Sequence, residues 1–394
     1  MEFDLGEAAV ALKKLAKDFA AREIEPYAAE WSEREEFPAP VFRKLGELGM
    51  MGMLVEEAYG GVDVGMVAYV AAMEEIGRAD QSVAAAWNAH TTIGTLPLAR
   101  FGTHEQKERW LRPLAEGRNI GAFALTEPGA GSDAASVRTR AERRDGGWSI
   151  NGNKIFISNA GTEMSLGVSL LAVTGEQSDG SKRYGVFFVP KDTEGFALSR
   201  PMRKLGWHAM DTRELAFDDC WVADDHLIGE EGGGLSAFLS VLDPGRISVA
   251  ALSLSLAEAA IDLALEYVVE RRQFGRRISD FQATQHRLAE MATQVETARL
   301  LVYRAAWLAD SGRDFSLAAA MAKLHASEVA NQVASASLQL HGGYGYMRET
   351  PISRFYGDAK ILEIGEGTNE IQKNVIARHL LQDAHRRGGA GRPR

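Results

Sequence analysis

The hydrophobic period of the chain changes twice, and that limits the folds open to it. From Leu5 to about Glu116 apolar residues recur at helical spacing, beginning with Leu12, Leu15, Phe19 and Ile24. Phe37-Pro38-Ala39-Pro40 breaks the pattern and Val41 to Leu48 resumes it. Tyr59-Gly60-Gly61 is a turn, and Val67 to Ile76 and Ser82 to Phe101 are further helices. At about Ile120 the signal becomes that of strands: Ala122 to Leu125, Trp148 to Ile150, Lys154 to Ser158, Leu170 to Thr174, Tyr184 to Val189 and Leu215 to Trp221. Asn151-Gly152 between two of these runs predicts a tight β-hairpin. From Gly232-Gly233-Gly234 the chain is helical again. Arg246 to Glu270 is rich in alanine and leucine, and Leu288, Met291, Val295, Ala298 and Val302 form an amphipathic stripe. Leu317 to Leu340 ends in His341-Gly342-Gly343-Tyr344-Gly345, whose glycines suit a left-handed cap. With Ile371 to Leu381 these runs predict a four-helix bundle. The expected class is α+β: an α-helical domain over 1–119, a β-domain over 120–228, a helical bundle over 229–384 and a basic, flexible tail over 385–394.

Composition narrows the function. A net charge of −10 disfavours a nucleic-acid surface. No long uncharged run stands out as a membrane span, so no stable membrane insertion is expected. The acidic start, Met1-Glu2-Phe3-Asp4, is unlike a signal or transit peptide, and a cytoplasmic location is expected. The single cysteine, Cys220, lies among Phe217, Trp221 and Val222 and reads as a buried strand residue rather than a nucleophile. His90 is given no role, and no metal ligand set is assigned.

The stretch with most chemistry is Ile364-Gly365-Glu366-Gly367-Thr368-Asn369-Glu370. A carboxylate between two glycines sits in a tight turn, and Thr368 or Asn369 can cap the helix that follows. This is either a helix start with a solvated acid or a general base presented to a substrate. Asp358-Ala359-Lys360-Ile361, Glu366 to Gln372 and Ile376-Ala377-Arg378 together resemble the C-terminal signature of the acyl-CoA dehydrogenases. Further segments occur in that family's order: Leu125 to Asp133, Lys154-Ile155-Phe156-Ile157-Ser158, Arg271-Arg272-Gln273-Phe274-Gly275 and Gln339 to Gly345. The resemblance covers nearly the whole chain. It implies a helical domain, a β-barrel or sandwich domain and a four-helix bundle, in that order.

The same resemblance implies the chemistry. Glu366 removes the α-proton of an acyl-CoA thioester, and FAD takes the β-hydride at N5. The developing enolate oxygen is met by the Glu366 backbone N–H and a ribityl hydroxyl of FAD. Phe123, Leu125 and Thr126 line the flavin, and Phe156 and Ser158 pack on its ring. Alternation puts Phe156 and Ser158 on one face and Ile155 and Ile157 on the other. By pattern alone, the Phe/Ser face is either a flat ring site or ordinary surface. Ser132 contacts flavin or substrate phosphate. Arg271, Gln273, Phe274, Gln282, Gln339 and Gly343 reach the FAD of a neighbouring subunit, which implies a homotetramer built as a pair of dimers. Thr368 and Glu370 match positions at the adenine-side phosphates. Asp243 and Arg246 match contacts to CoA; otherwise they are a helix cap with a counter-charge. Gly365 and Gly367 flank the acyl site. A related branch carries its base at a position that falls near Gly245, where glycine cannot serve. Gly365 stands where many straight-chain members have Tyr; the freed space either accepts a methyl branch or is filled by a neighbouring side chain, and short branched and short-to-medium straight acyl-CoAs are expected as substrates, with very long chains poor.

The leading expectation is an acyl-CoA dehydrogenase that passes electrons to an electron-transfer flavoprotein. The alternatives are an acyl-CoA oxidase-like enzyme, or a flavin-binding interaction protein without dehydrogenase activity.

Overall fold

The computed structural model describes residues 5–389, without the side chains of residues 387–389. Helices precede the strands: α1 (Glu7–Glu23), α2 (Ala28–Arg34), α3 (Ala39–Glu47), α4 (Gly65–Ala79), α5 (Gln81–Ala89), α6 (Leu96–Phe101), α7 (His104–Gln106) and α8 (Arg112–Ala115). The strands are β1 (Ile120–Ala124), β2 (Arg140–Arg144), β3 (Gly147–Ser158), β4 (Ser165–Glu176), β5 (Lys182–Pro190), β6 (Phe196–Leu198), β7 (Thr212–Ala223) and β8 (Leu227–Ile228). Then come α9 (Gly234–Ser240), α10 (Leu242–Glu270), a small ribbon of β9 (Arg272–Gln273) and β10 (Arg276–Arg277), α11 (Gln282–Asp310), α12 (Ser316–His341), α13 (Pro351–Ala359) and α14 (Asn369–Gly389). N-terminal helices, a mixed-sheet middle and a C-terminal helical domain follow in the expected order.

The chain forms two compact units. One holds residues 5–17, 66–81 and 246–389; the other holds residues 18–65 and 82–245. In the second unit the sheet order is β6-β7-β3-β2-β4-β5-β8, with β1 parallel to β4. Successive side chains on β4 and β5 enter different cores. Leu170, Ala172, Phe187 and Val189 pack with Ile150, Ile157 and Leu215. Leu171, Val173, Val186 and Phe188 pack with Leu98, Trp110, Leu111 and Leu114. Both faces are covered, which is why these strands read as continuous apolar runs. Each fully buried Phe contributes ~1.5–3 kcal/mol to folding.

In the first unit α12 packs against α11, α13 and α14. Tyr267 of α10 stacks on His341 of α12 with ring centroids 4.4 Å apart. The α11 stripe is as expected: Met291, Val295, Ala298 and Val302 are buried.

Two expectations need correction. Asn151-Gly152 is not a turn. It lies inside the single strand β3, which pairs with β7 and is bulged between Ile150 and Gly152. Gly152 has φ +149°, and a Cβ there would come within 2.6 Å of Thr139 Oγ1, so the glycine serves a close backbone approach. Asn151 spends its amide on Asp219, donating to Oδ1 at 3.0 Å and accepting from the backbone N–H at 2.9 Å. The hairpin turn is Asp145-Gly146, which joins β2 to β3, with Gly146 at φ +71°. Second, residues 385–389 are not a flexible tail, since α14 runs through Gly389. Gln382, Ala384 and Arg386 are good helix formers, and basic residues suit the C-terminal end of the dipole. Residues 390–394 lie outside the described residues. Among the described residues, Gly234–Glu270 holds a window long and apolar enough to cross a membrane, but 89% of that window is buried in the fold, in keeping with the expectation of no membrane insertion.

Candidate active site

Glu366 occupies a strained turn. Its φ is +51° and that of Gly367 is +90°. For a residue with a Cβ, the left-handed conformation costs ~1–2 kcal/mol, so packing must hold it. Two fully buried side chains do so. Lys323 of α12 donates from Nζ to the Gly367 carbonyl at 2.9 Å and to Asn369 Oδ1 at 3.0 Å. Gln372 Nε2 donates to the same Gly367 carbonyl at 2.9 Å and to that of Glu366 at 3.4 Å. Thr368 is the cap: its Oγ1 accepts from the Ile371 N–H at 3.4 Å. Asn369, the other cap candidate, is the first helical residue and is buried. Burial brings the Lys323 pKa down to about 8, against the pull of Glu366, Glu363 and Glu370.

The neighbours of Glu366 divide by role. A Cβ on Gly367 would meet Gln372 Nε2 at 2.8 Å and would also sit at positive φ. Gly365 has no such restriction, because a Cβ there meets only the Ile361 carbonyl at 3.5 Å. Glu370 is exposed and is held below the usual carboxylate range by its own backbone N–H and by Thr368. Those are helix-capping contacts, which suit its place in the first turn.

The residues expected at the flavin ring gather in the other unit. Phe123 is half-buried on β1 and stacks on Phe238, with centroids 3.8 Å apart. Leu125 and Thr126 are half-buried just beyond it, and Ser132 is exposed. Phe156 is 61% exposed at φ +62°. A bulge between Lys154 and Ile157 produces that conformation. The bulge also interrupts the simple alternation, putting Lys154 and Ile157 inside together. Ser158 follows, half-buried and paired with Thr212.

Lys154, which sequence reasoning left without a role, anchors this region. Its buried Nζ donates to the Leu125 carbonyl at 3.0 Å and to Glu127 Oε1 at 2.8 Å. Glu127 also accepts from the Arg138 and Thr139 N–H groups and from the Thr139 hydroxyl. Burial opposes the charge on Glu127, but Lys154 and these donors outweigh it and hold the carboxyl below its usual range. Burial brings Lys154 down to about 8. Both groups are charged at neutral pH. Ile155 N–H closes the link with a 2.9 Å bond to the Thr126 carbonyl.

A third group is exposed on the first unit. β9 and β10 form a ribbon whose turn, Phe274-Gly275, has φ +53° and +78°. Phe274 is 93% exposed, and Gln273, Gln282, Gln339 and Gly343 are exposed too. The Arg271 guanidinium sits 5.5 Å from the Tyr344 ring centroid, tying the ribbon to the end of α12. Asp243 and Arg246 lie in the first turns of α10. Asp243 counters part of the burial-induced fall in the pKa of Arg100. Cys220 is buried, and burial pushes its thiol up to about 11, so it is no nucleophile. His90 is a core residue, brought down to about 4 by burial, and its Nδ1 accepts from the Gly121 N–H at 3.0 Å.

Comparison with known proteins fits this arrangement. Models of the acyl-CoA dehydrogenase N-terminal, middle and C-terminal domains match residues 6–118, 122–220 and 232–381. The chain is 44% identical over 382 residues to the probable acyl-CoA dehydrogenase YngJ of Bacillus subtilis, covering 97% of this chain and 100% of that protein. Butyryl-CoA dehydrogenase from Megasphaera elsdenii superposes with a TM-score of 0.93 at 39% identity, covering 97% of this chain and 100% of that one. An acyl-CoA dehydrogenase complexed with FAD from Bacillus anthracis superposes with a TM-score of 0.91 at 32% identity, covering 97% and 68%. The chain belongs to the acyl-CoA dehydrogenase family. It is an oxidoreductase acting on a CH–CH group, and FAD is its cofactor. Its own residues fit that cofactor: an exposed Phe156 ring held by a strained bulge, with a hydroxyl at Ser158, suits a flat heteroaromatic system.

Proposed function

We propose that Glu366 is the general base that removes the α-proton of a short acyl-CoA thioester, giving the trans-2-enoyl-CoA. The observation that carries this reading is the turn. Glu366 stands at φ +51°, and buried Lys323 and Gln372 hold its carbonyl-side backbone. A merely solvated acid at a helix start needs no such support. A carboxylate can take a weakly acidic α-proton when burial by the acyl chain moves its pKa toward the working range. FAD, when bound, supplies the acceptor for the β-hydride. Phe123, Leu125, Thr126, Phe156 and Ser158 would hold its ring, and Ser132 would meet a phosphate. Arg271, Gln273, Phe274, Gln282, Gln339 and Gly343 would hold the FAD of a neighbouring subunit. Thr368 would contact the adenine-side phosphates, and Glu370, already engaged at the cap, would offer a backbone or ribose contact. Asp243 and Arg246 would meet the CoA moiety.

An electron-transfer flavoprotein is the proposed electron acceptor and the cytoplasm the proposed location. Short chains are favoured by the likeness to a butyryl-CoA dehydrogenase. The test is Glu366→Gln. It is expected to keep FAD and bind acyl-CoA, yet lose anaerobic flavin bleaching by butyryl-CoA by ~10³-fold or more. Near-normal bleaching removes Glu366 from the mechanism.

A further inference from the structure

The Glu366–Gly367 turn rests on a charge that the proposed reaction does not yet use. Lys323 lies on an alanine-lined face of α12, with Ala319, Ala320, Ala322 and Ala326 all buried around it, and is itself 0% exposed. A buried ammonium is costly unless its charge is compensated. Its hydrogen-bond acceptors are neutral: the Gly367 carbonyl at 2.9 Å and Asn369 Oδ1 at 3.0 Å. Ser327, one turn along α12, donates to that same Oδ1 at 3.1 Å. The charges facing it come from other elements. They are Glu366 at the turn, Glu363 just before it and Glu370 on α14, with Arg246 on α10 opposing them. Burial is the largest influence on Lys323, and Glu366 is the largest favourable one. Such coupling is mutual, so whatever Glu366 does for the ammonium the ammonium does for the carboxylate.

We propose that Lys323 is a positioning residue for the reaction. It fixes the backbone of the Glu366–Gly367 turn through the Gly367 carbonyl. It also holds a positive charge near the Glu366 carboxylate, so that the base stays ionised as the acyl chain displaces water. This rests on the reading of Glu366 as the base.

Lys323→Met removes the charge and the donor, whereas Lys323→Gln keeps a donor and removes only the charge. The pH dependence of flavin bleaching by butyryl-CoA is measured in both, with Glu366→Gln beside them. Isotope-edited infrared spectra of the substrate-free protein, referenced to Glu366→Gln, follow the Glu366 carboxyl directly. Both Lys323 variants are expected to move the acid limb and the infrared titration to higher pH by about one unit. The Met variant should also lose ~10-fold at the high-pH plateau through a loosened turn, with KM within about threefold of wild type. An unmoved limb with an unmoved infrared titration in a folded variant overturns the proposal and leaves Glu366 as the base. Flavin bleaching that persists in Glu366→Gln instead removes the base reading and the proposal with it. Failure of both Lys323 variants to fold, while Glu366→Gln folds, makes Lys323 a folding residue and also overturns it.

Discussion

At the scale of single residues, Gly365 and Gly367 differ although they flank the same carboxylate. Gly367 is tied to the turn by its φ of +90° and by Gln372, so substitution there should damage the base. Gly365 is free of both restraints, with its nearest Cβ contact at 3.5 Å, so a side chain there would extend without breaking the backbone. Gly365→Tyr is therefore a test of pocket shape. It is expected to lower kcat/KM for isobutyryl- or isovaleryl-CoA more than for butyryl-CoA, within the ~10–200-fold range that one apolar group commands. Equal slowing of all three substrates would show that Gly365 serves the turn and not the pocket. The Glu366 turn stood out because a carboxylate between two glycines before a helical run is an unusual local pattern, but that pattern left a solvated acid and a base both open, and the assignment as base came from the family resemblance. Lys323 and Lys154 were not. Each is a lysine in an element that also carries other polar side chains, and only the fold shows that each ammonium is turned inward. The one signal was register: Lys323 is spaced four and three residues after Ala319 and Ala320, on the buried stripe of its helix.

At the scale of elements, the long helices and the strands β1, β4, β5 and β7 followed from hydrophobic period, but β3 did not, and β2, with the sequence RAERR, has too few apolar residues to show one. Asn-Gly is a strong local hairpin signal, and here tertiary contacts overrode it: Gly152 admits the Thr139 backbone, and Asn151 pairs with Asp219. Asp145-Gly146, which does turn the chain, carries the same kind of signal a few residues earlier. The helices of the first unit hold a feature no period reveals. Glu74 of α4 and Glu258 of α10 are both buried, with Arg299 of α11 donating to Glu258 Oε1 at 2.6 Å and lying 3.8 Å from Glu74 Oε1. Lys13 pairs with Glu74, and Arg78 lies 3.6 Å from Glu258 Oε2. Burial, then the charge of Glu74, pushes the Glu258 carboxyl up to about 7, against Arg299, Arg78 and Lys13. Tyr303, raised by burial and then by Glu74, stays neutral beside them. An acid whose pKa is raised by folding binds more protons folded than unfolded between the two values. Its stabilisation is thus fully present below the ordinary carboxylate range and is lost as pH rises through about 7. The Tm of wild type should accordingly fall more between about pH 5 and pH 8 than that of Glu258→Gln, by a few degrees, as ~1 kcal/mol moves Tm by roughly 2–4 °C in larger domains. Parallel curves for the two proteins would mean that Glu258 is ionised throughout, compensated by Arg299.

At the scale of the whole molecule, the exposed ribbon poses the question of assembly. Phe274 is 93% exposed, Tyr346 79% and Met347 47%, a concentration of large apolar groups on one unit's surface. Such patches mark interaction sites more often than they mark idle surface. Arg271 stands beside them over the Tyr344 ring, its planar guanidinium suited to a pyrophosphate. Phe274-Gly275 holds two successive positive φ values that turn the tip, and the Phe274 ring meets Phe281 of its own unit edge-on, with centroids 6.2 Å apart. These residues fit the proposal that each subunit completes a neighbour's FAD site in a homotetramer built as a pair of dimers. A ligand held by two chains stabilises the assembled form by mass action, so FAD content and oligomeric state should change together. Arg271→Ala is expected to release FAD at lower dilution and to shift light-scattering mass toward smaller species. Added FAD should restore part of the mass, because the apolar contacts of Phe274 and Tyr346 remain. A fully active, FAD-loaded monomer in wild type would rule out the shared site. An Arg271→Ala protein that loses FAD yet keeps its full mass would place Arg271 at the cofactor and leave assembly to the aromatic residues alone.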